Sequence, residues 1–117
     1  MSQLNFHNLI LQKAIDAYKI WHIYFQSLPK FSRYSLGNRI DLAFLEFIES
    51  IYAGIYASKA DQPSAVRTMS GRLDGVKLLL RIAWEVRALD NKKYSALSIP
   101  LVEIGKIIGG WQRQSPK

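Results

Sequence analysis

Residues 35–58 read SLGNRIDLAFLEFIESIYAGIYAS. Within them Leu36, Ile40, Ala43, Phe44, Phe47, Ile48, Ile51 and Ile55 recur at steps of three and four. That spacing gathers them on one face of a helix and would scatter them over both faces of a strand. The stretch predicts an amphipathic helix with one buried stripe. Ser35 stands where an N-cap would, its hydroxyl able to accept from a free amide of the first turn.

Outward from this helix, breakers divide the chain around Pro29, around Pro63 and at Asp90–Lys93. The four segments left, residues 5–26, 35–58, 64–89 and 92–111, show no sustained alternation and predict four helices. The first carries Ile10, Leu11, Ala14, Ile15, Tyr18, Trp21 and Phe25 on one face; the fourth carries Leu97, Leu101, Ile104, Ile108 and Trp111. Asp61, ahead of Pro63, is the expected N-cap of the third helix. Pro100 lacks the amide a helix interior needs, so a kink or a late start is expected there. Short connections make successive helices antiparallel neighbours, giving an all-α, up-down-up-down four-helix bundle. With 117 residues the chain holds one such domain.

The third helix carries two apolar faces. Met69, Leu73, Val76, Leu80 and Trp84 form one; Leu78, Leu79, Ile82, Val86 and Leu89 form the other. A single core cannot bury both, and a contiguous exposed apolar surface marks an interface. The first helix has a weaker second face in Phe6, Leu9, Ile20, Ile23 and Tyr24. A homo-oligomer is therefore expected, with Leu78, Leu79, Ile82, Val86 and Leu89 meeting Ile20 and Tyr24 at the subunit contact. The pairs Gly71/Gly75 and Gly105/Gly109, each four apart, are read as places of close backbone approach.

Apolar residues make up 49% of the chain and charged residues 21%, which excludes a disordered chain. The absence of cysteine excludes disulfides, thiolate metal sites and thiol nucleophiles. The N-terminal residues lack the basic and apolar regions of a secretory signal. Glu46 and Glu49 interrupt the most apolar run, so neither export nor a membrane span is expected and the location is read as cytoplasmic.

Enzymatic patterns are missing. His7 and His22 stand 15 residues apart, or roughly 22 Å along a helix, and cannot share a metal. There is no Glu-x-x-His pair, no Arg followed by His after four to six residues as in a large group of helical ribonucleases, no phosphate-cradling loop and no nucleophile turn. Neither catalytic residues nor a cofactor or metal are expected.

Sixteen Lys and Arg face nine Asp and Glu, a formal charge of +7. Residues 59–117 hold eleven basic and five acidic side chains, against five and four in residues 1–58. An anionic partner is the first to suspect. In the bundle the first and third connections share one end, which collects Lys30, Arg33, Arg39, Arg87, Lys92 and Lys93. Arg39 would lie near a helix start, where the macrodipole disfavours a cation. Arg67, Lys77 and Arg81 line a polar strip of the third helix, with Arg81 and Glu85 spaced for an ion pair. No aromatic residue interleaves with these charges as on a single-strand stacking platform, so contacts to nucleic acid are expected mainly at phosphates.

Leu28-Pro29-Lys30-Phe31-Ser32-Arg33-Tyr34-Ser35-Leu36-Gly37-Asn38-Arg39-Ile40 and Glu103-Ile104-Gly105-Lys106-Ile107-Ile108-Gly109-Gly110-Trp111, with Leu79-Leu80-Arg81-Ile82-Ala83 and Lys92-Lys93-Tyr94 in order between them, resemble the Avd family, the accessory variability determinant of diversity-generating retroelements. The resemblance spans about Leu9 to Trp111, and the ending Ile-Gly-Lys-x-x-Gly-Gly-Trp is its most specific part. It implies a strongly basic four-helix bundle, assembled into a five-membered ring, without catalytic residues. Such a protein partners a reverse transcriptase and its template RNA during error-prone copying, with mutations at adenines, into a variable gene. Lys30, Arg33, Arg39, Arg81 and Lys106 match basic positions of the family; Arg67, Arg72, Lys77, Arg87, Lys92 and Lys93 are added from charge placement. Two other readings stand beside it: a bundle of the type encoded in intervening sequences of 23S ribosomal RNA genes, and a protein-interaction adaptor that binds no nucleic acid.

Overall fold

A computed structural model describes residues 3–114. Helix α1 spans Gln3–Gln26. A turn, α2 (Lys30–Ser32), passes through a π-helical stretch, Arg33–Gly37, into α3 (Asn38–Ile55), so residues 30–55 form one continuous rod. Helices α4 (Gln62–Glu85) and α5 (Asn91–Gln114) complete the fold, and the described residues include no strand.

Helices α1 and α4 each pack against both α3 and α5. They therefore occupy opposite corners of a square, with α3 and α5 on the other diagonal. The 44 × 23 × 19 Å envelope is that of rods of 24 residues, about 36 Å each, laid side by side.

Four stripes meet on the bundle axis. Ile10, Ala14, Ala17 and Trp21 come from α1; Ile40, Phe44, Phe47 and Ile51 from α3; Val66, Met69, Leu73, Val76 and Leu80 from α4; Leu97, Leu101, Ile104, Ile108 and Trp111 from α5. All are buried at the expected three- and four-residue steps, and burying each large apolar side chain contributes roughly 1.5–3 kcal/mol. Close packing shows at Gly54, where a Cβ would come within 2.7 Å of Met69 Cε across the α3–α4 contact. One polar tie crosses the core's edge: Asp41 Oδ1 accepts from the Tyr18 hydroxyl (2.8 Å) and from Trp21 Nε1 (3.1 Å), joining α1 to α3. At the other end of the bundle, His7 is buried and stacked on Trp111, ring centroids 3.7 Å apart and 13° from parallel.

Helix ends depart from the sequence reading, most of all at the start of the second rod and the end of α4. The second rod begins at Lys30, not Ser35, because Pro29 with φ −53° and ψ 140° takes the N-cap position and starts the helix five residues earlier. Ser35 consequently lies inside the rod and its hydroxyl donates to the Phe31 carbonyl (3.2 Å) instead of capping. Arg39 is thus removed from the helix start, beyond the first turn in which the macrodipole acts. Asp61 does occupy the N-cap position of α4, but its carboxylate makes no capping bond. That connection is closed by Ser58 Oγ accepting from the Asp61 amide and by Gln62 Nε2 donating to the Gly54 carbonyl.

Helix α4 stops at Glu85 rather than Leu89. Arg87 has φ 67°, the left-handed conformation, and the Ala88 and Arg87 amides donate to the Ala83 and Trp84 carbonyls in a Schellman arrangement. Glycine usually supplies this conformation, and here arginine does, so no stop signal is visible in the residue types at this turn. Pro100 neither delays nor ends α5, which starts at Asn91 and runs through it. The Gly71/Gly75 pair is also corrected: a Cβ at either would meet nothing within 4 Å, so no backbone approaches there. Gly105 does lie against α4, with Leu73 Cδ2 at 3.4 Å from the Cβ it lacks.

Candidate interaction surfaces

The α1–α2 and α4–α5 connections meet at one end of the bundle. Lys93 Nζ donates to Ser27 Oγ (3.4 Å) and sits 5.5 Å from the Tyr24 ring centroid, binding the start of α5 to the end of α1. This is the end to which the sequence assigned its cationic cluster. Lys30, Arg39, Arg87 and Lys92 are exposed, and among the described residues none of them has a side-chain hydrogen bond or ion pair.

Arg33 and Lys93 are placed differently from this free set. Arg33 is half-buried, and its Nη2 donates to the Leu28 carbonyl (3.1 Å), closing the turn after α1, while its buried Nε has no partner. Lys93 is half-buried over Tyr24. Both hold the end of the bundle together, and less of their charge is open to a ligand.

On α4, Arg81 Nε donates to Glu85 Oε2 (2.8 Å) and Arg72 reaches Glu46 of α3 (3.6 Å), so these two cations already have partners. Arg67 is exposed. Lys77 and Lys106 flank a groove of about 400 Å³ between α4 and α5, together with Asp74, Gly105 and Arg113. Arg113 lies beyond Trp111, where the sequence reading ends the last helix; its seven-residue spacing from Lys106, two turns along one face, is the signal that places it here. Its guanidinium lies over Gly109 and Gly110, 3.6 and 3.7 Å from where their Cβ atoms would be.

Folding also brings together an aromatic pair that the linear sequence hides. Trp84 of α4 and Tyr94 of α5 stack with centroids 5.0 Å apart and 11° between planes, and Trp84 Nε1 donates to Asn91 Oδ1 (2.7 Å). Arg81 and Arg87 line the cleft beside them. Aromatic and cationic groups do therefore meet on this surface, contrary to the reading that they are kept apart.

The apolar faces are sorted by the same geometry. Leu78, Ile82 and Val86 are exposed on the outer side of α4. Leu79 is half-buried against its own bundle, as are Ile20 and Tyr24 of α1. Leu89 is 1% exposed and belongs to the core, because the left-handed turn at Arg87 folds it inward; it offers no surface for a subunit contact. Since α1 and α4 stand on a diagonal, their apolar residues form two separate patches. A third face went unread in the sequence: Leu42, Leu45, Tyr52 and Tyr56 are exposed along α3 at steps that bring them to one side.

Among the described residues, no group of three or more His, Asp or Glu side chains converges so as to hold a metal ion, and no helix is long and apolar enough to cross a membrane. A model of the bAvd-like family matches residues 8–115 of the chain. No curated protein and no solved structure matches it.

Proposed function

The chain belongs to the bAvd-like family, and from that premise we propose that it is a non-catalytic accessory protein of a diversity-generating retroelement, binding a reverse transcriptase and its template RNA during mutagenic copying. The family match over residues 8–115 carries this reading. The exposed cations without partners, Lys30, Arg39, Arg87 and Lys92 at one end and Lys106 and Arg113 along the α4–α5 groove beside the half-buried Lys77, support it, because phosphates of either RNA or a polymerase-bound template would neutralise them.

The working form is a closed ring of subunits, five by family resemblance. A ring needs two different patches on each subunit, since head-to-tail contacts are heterologous. The exposed α4 stripe Leu78–Ile82–Val86 and the opposite α1 corner satisfy that requirement through their diagonal placement. Repetition around one axis would multiply the cations without demanding base-specific contacts.

The test is co-purification with the reverse transcriptase and titration with template RNA at several salt concentrations. If the four free end cations each neutralise one phosphate, log K falls with log salt at a slope of about −3 to −4. The triple variant Lys30→Glu, Arg39→Glu, Lys92→Glu should lower that slope and weaken binding to unrelated sequences alike while leaving the assembly intact. A parent protein that binds neither RNA nor polymerase at low salt would instead be an adaptor.

A further inference from the structure

We propose that the cleft at the α4–α5 turn seats an unpaired base of single-stranded nucleic acid, stacked on the Trp84 indole, with Arg87 against a neighbouring phosphate. This rests on the nucleic-acid reading above and adds to it a second mode of contact.

Trp84 is 38% exposed, whereas Trp21 and Trp111 are 0% and 3% exposed. A cleft of about 760 Å³ opens beside it, lined by Arg81, Arg87, Asp90 and Asn91 among others. That volume lies in the range of sites that hold a nucleoside-sized ligand, roughly 300–1,000 Å³. The indole is pre-oriented: Tyr94 covers one face, and the ring N–H is held by Asn91 Oδ1 at 2.7 Å. A ring already fixed loses little freedom when a base adds to the stack.

The charges around the cleft are not equivalent. Arg81 is paired with Glu85 at 2.8 Å, and Asp90 Oδ1 accepts from the Lys93 amide at 2.8 Å. Arg87 is the lining cation without a partner among the described residues. It is also the residue held at φ 67°, where glycine would be free of strain. A strained arginine at the mouth of a cleft is explained if its guanidinium is needed there. Lys92, exposed one residue beyond Asn91, adds positive charge nearby. Stacking on an aromatic platform with cations for the backbone is how single strands are held without sequence readout.

The experiment titrates the full chain at low salt with a short oligoadenylate, with an abasic oligomer of equal length and charge, and with a duplex, following tryptophan emission. Oligoadenylate should quench the exposed indole and bind about fivefold or more tightly than the abasic strand. Trp84→Leu should lose that advantage with duplex binding unchanged, while Trp84→Phe, which can still stack on Tyr94, should keep most of it. Equal affinity for the adenylate and abasic strands by the parent, without quenching, overturns the stacking site and leaves the phosphate contacts standing. Binding to none of the three overturns both readings. The parent's comparison of the two strands decides the matter even if Trp84→Leu does not fold.

Discussion

The Tyr18 hydroxyl and the Trp21 indole N–H share one oxygen of Asp41, at 2.8 and 3.1 Å, so a single carboxylate on α3 fixes the azimuth of α1. Trp21 is completely buried, and its N–H has no water to fall back on. Asp41→Ala should therefore lower unfolding free energy by about 1–3 kcal/mol in urea melts, the usual penalty of a stranded buried donor. Tyr18→Phe should cost less, because Asp41 keeps Trp21.

Burial first, then the hydrogen bond to Asp41 and its negative charge, push the Tyr18 phenol up from 10.0 to about 12. The fold holds the protonated phenol more firmly than the unfolded chain does. Its contribution is complete below pH 10 and is lost as pH rises through 12. Absorbance titration should show one late-ionising tyrosine that Tyr18→Phe removes.

His7 behaves in the opposite sense. Its burial beside Trp111 lowers its pKa from 6.5, since the desolvated ring resists charging. The stabilisation is full above pH 6.5 and drains as pH falls through the lowered value. His7→Phe preserves a flat ring against Trp111, and its thermal melts should lose this acid sensitivity.

Arg87→Gly relieves a left-handed arginine and should raise stability by about 1 kcal/mol. On the cleft assignment the same variant should bind single strands more weakly. Denaturant melts and strand titration of one sample give both readings.

Leu78 and Leu89 provide a paired comparison. Leu78 is exposed on α4 and Leu89 is buried. Leu78→Asp should leave a helical monomer by light scattering and circular dichroism, whereas Leu89→Asp should unfold the subunit, because it places a carboxylate in the core without a partner.

The four stripes were legible because burial in a bundle imposes a period that sequence alone displays: Ile40, Phe44, Phe47 and Ile51 lie where their spacing put them. Helix ends were not, wherever the residue doing the work was of an unexpected type. Arg87 turns the chain in place of glycine, which hid the inward fold of Leu89 and with it one supposed interface residue. The surface was legible in its cation content and in the one pair spaced along a single helix, Arg81 with Glu85, but not in contacts made between elements. Arg33 and the Leu28 carbonyl are joined by a turn geometry, and Trp84 and Tyr94 by the packing of two helices; neither follows from spacing along one helix. Gly71 and Gly75 carried a familiar four-residue spacing that nothing in the structure uses.

The π-helical stretch has a consequence for where Lys30 points. The Asn38 amide donates to the Arg33 carbonyl, five residues back, so that stretch holds one residue more than the α-helical turn it replaces. One extra residue advances the phase of the rod by about 100°. Lys30 and Phe31 are thus set out of gear with the buried stripe that begins at Ile40, and Phe31 is 89% exposed. Deleting one residue between Ser32 and Gly37 would swing Lys30 around the rod without changing the register of a single core side chain in α3. The segment works as a rotary adjustment for Lys30 alone, since Arg39 lies beyond it in α3 and Arg87 and Lys92 stand at the junction of α4 and α5.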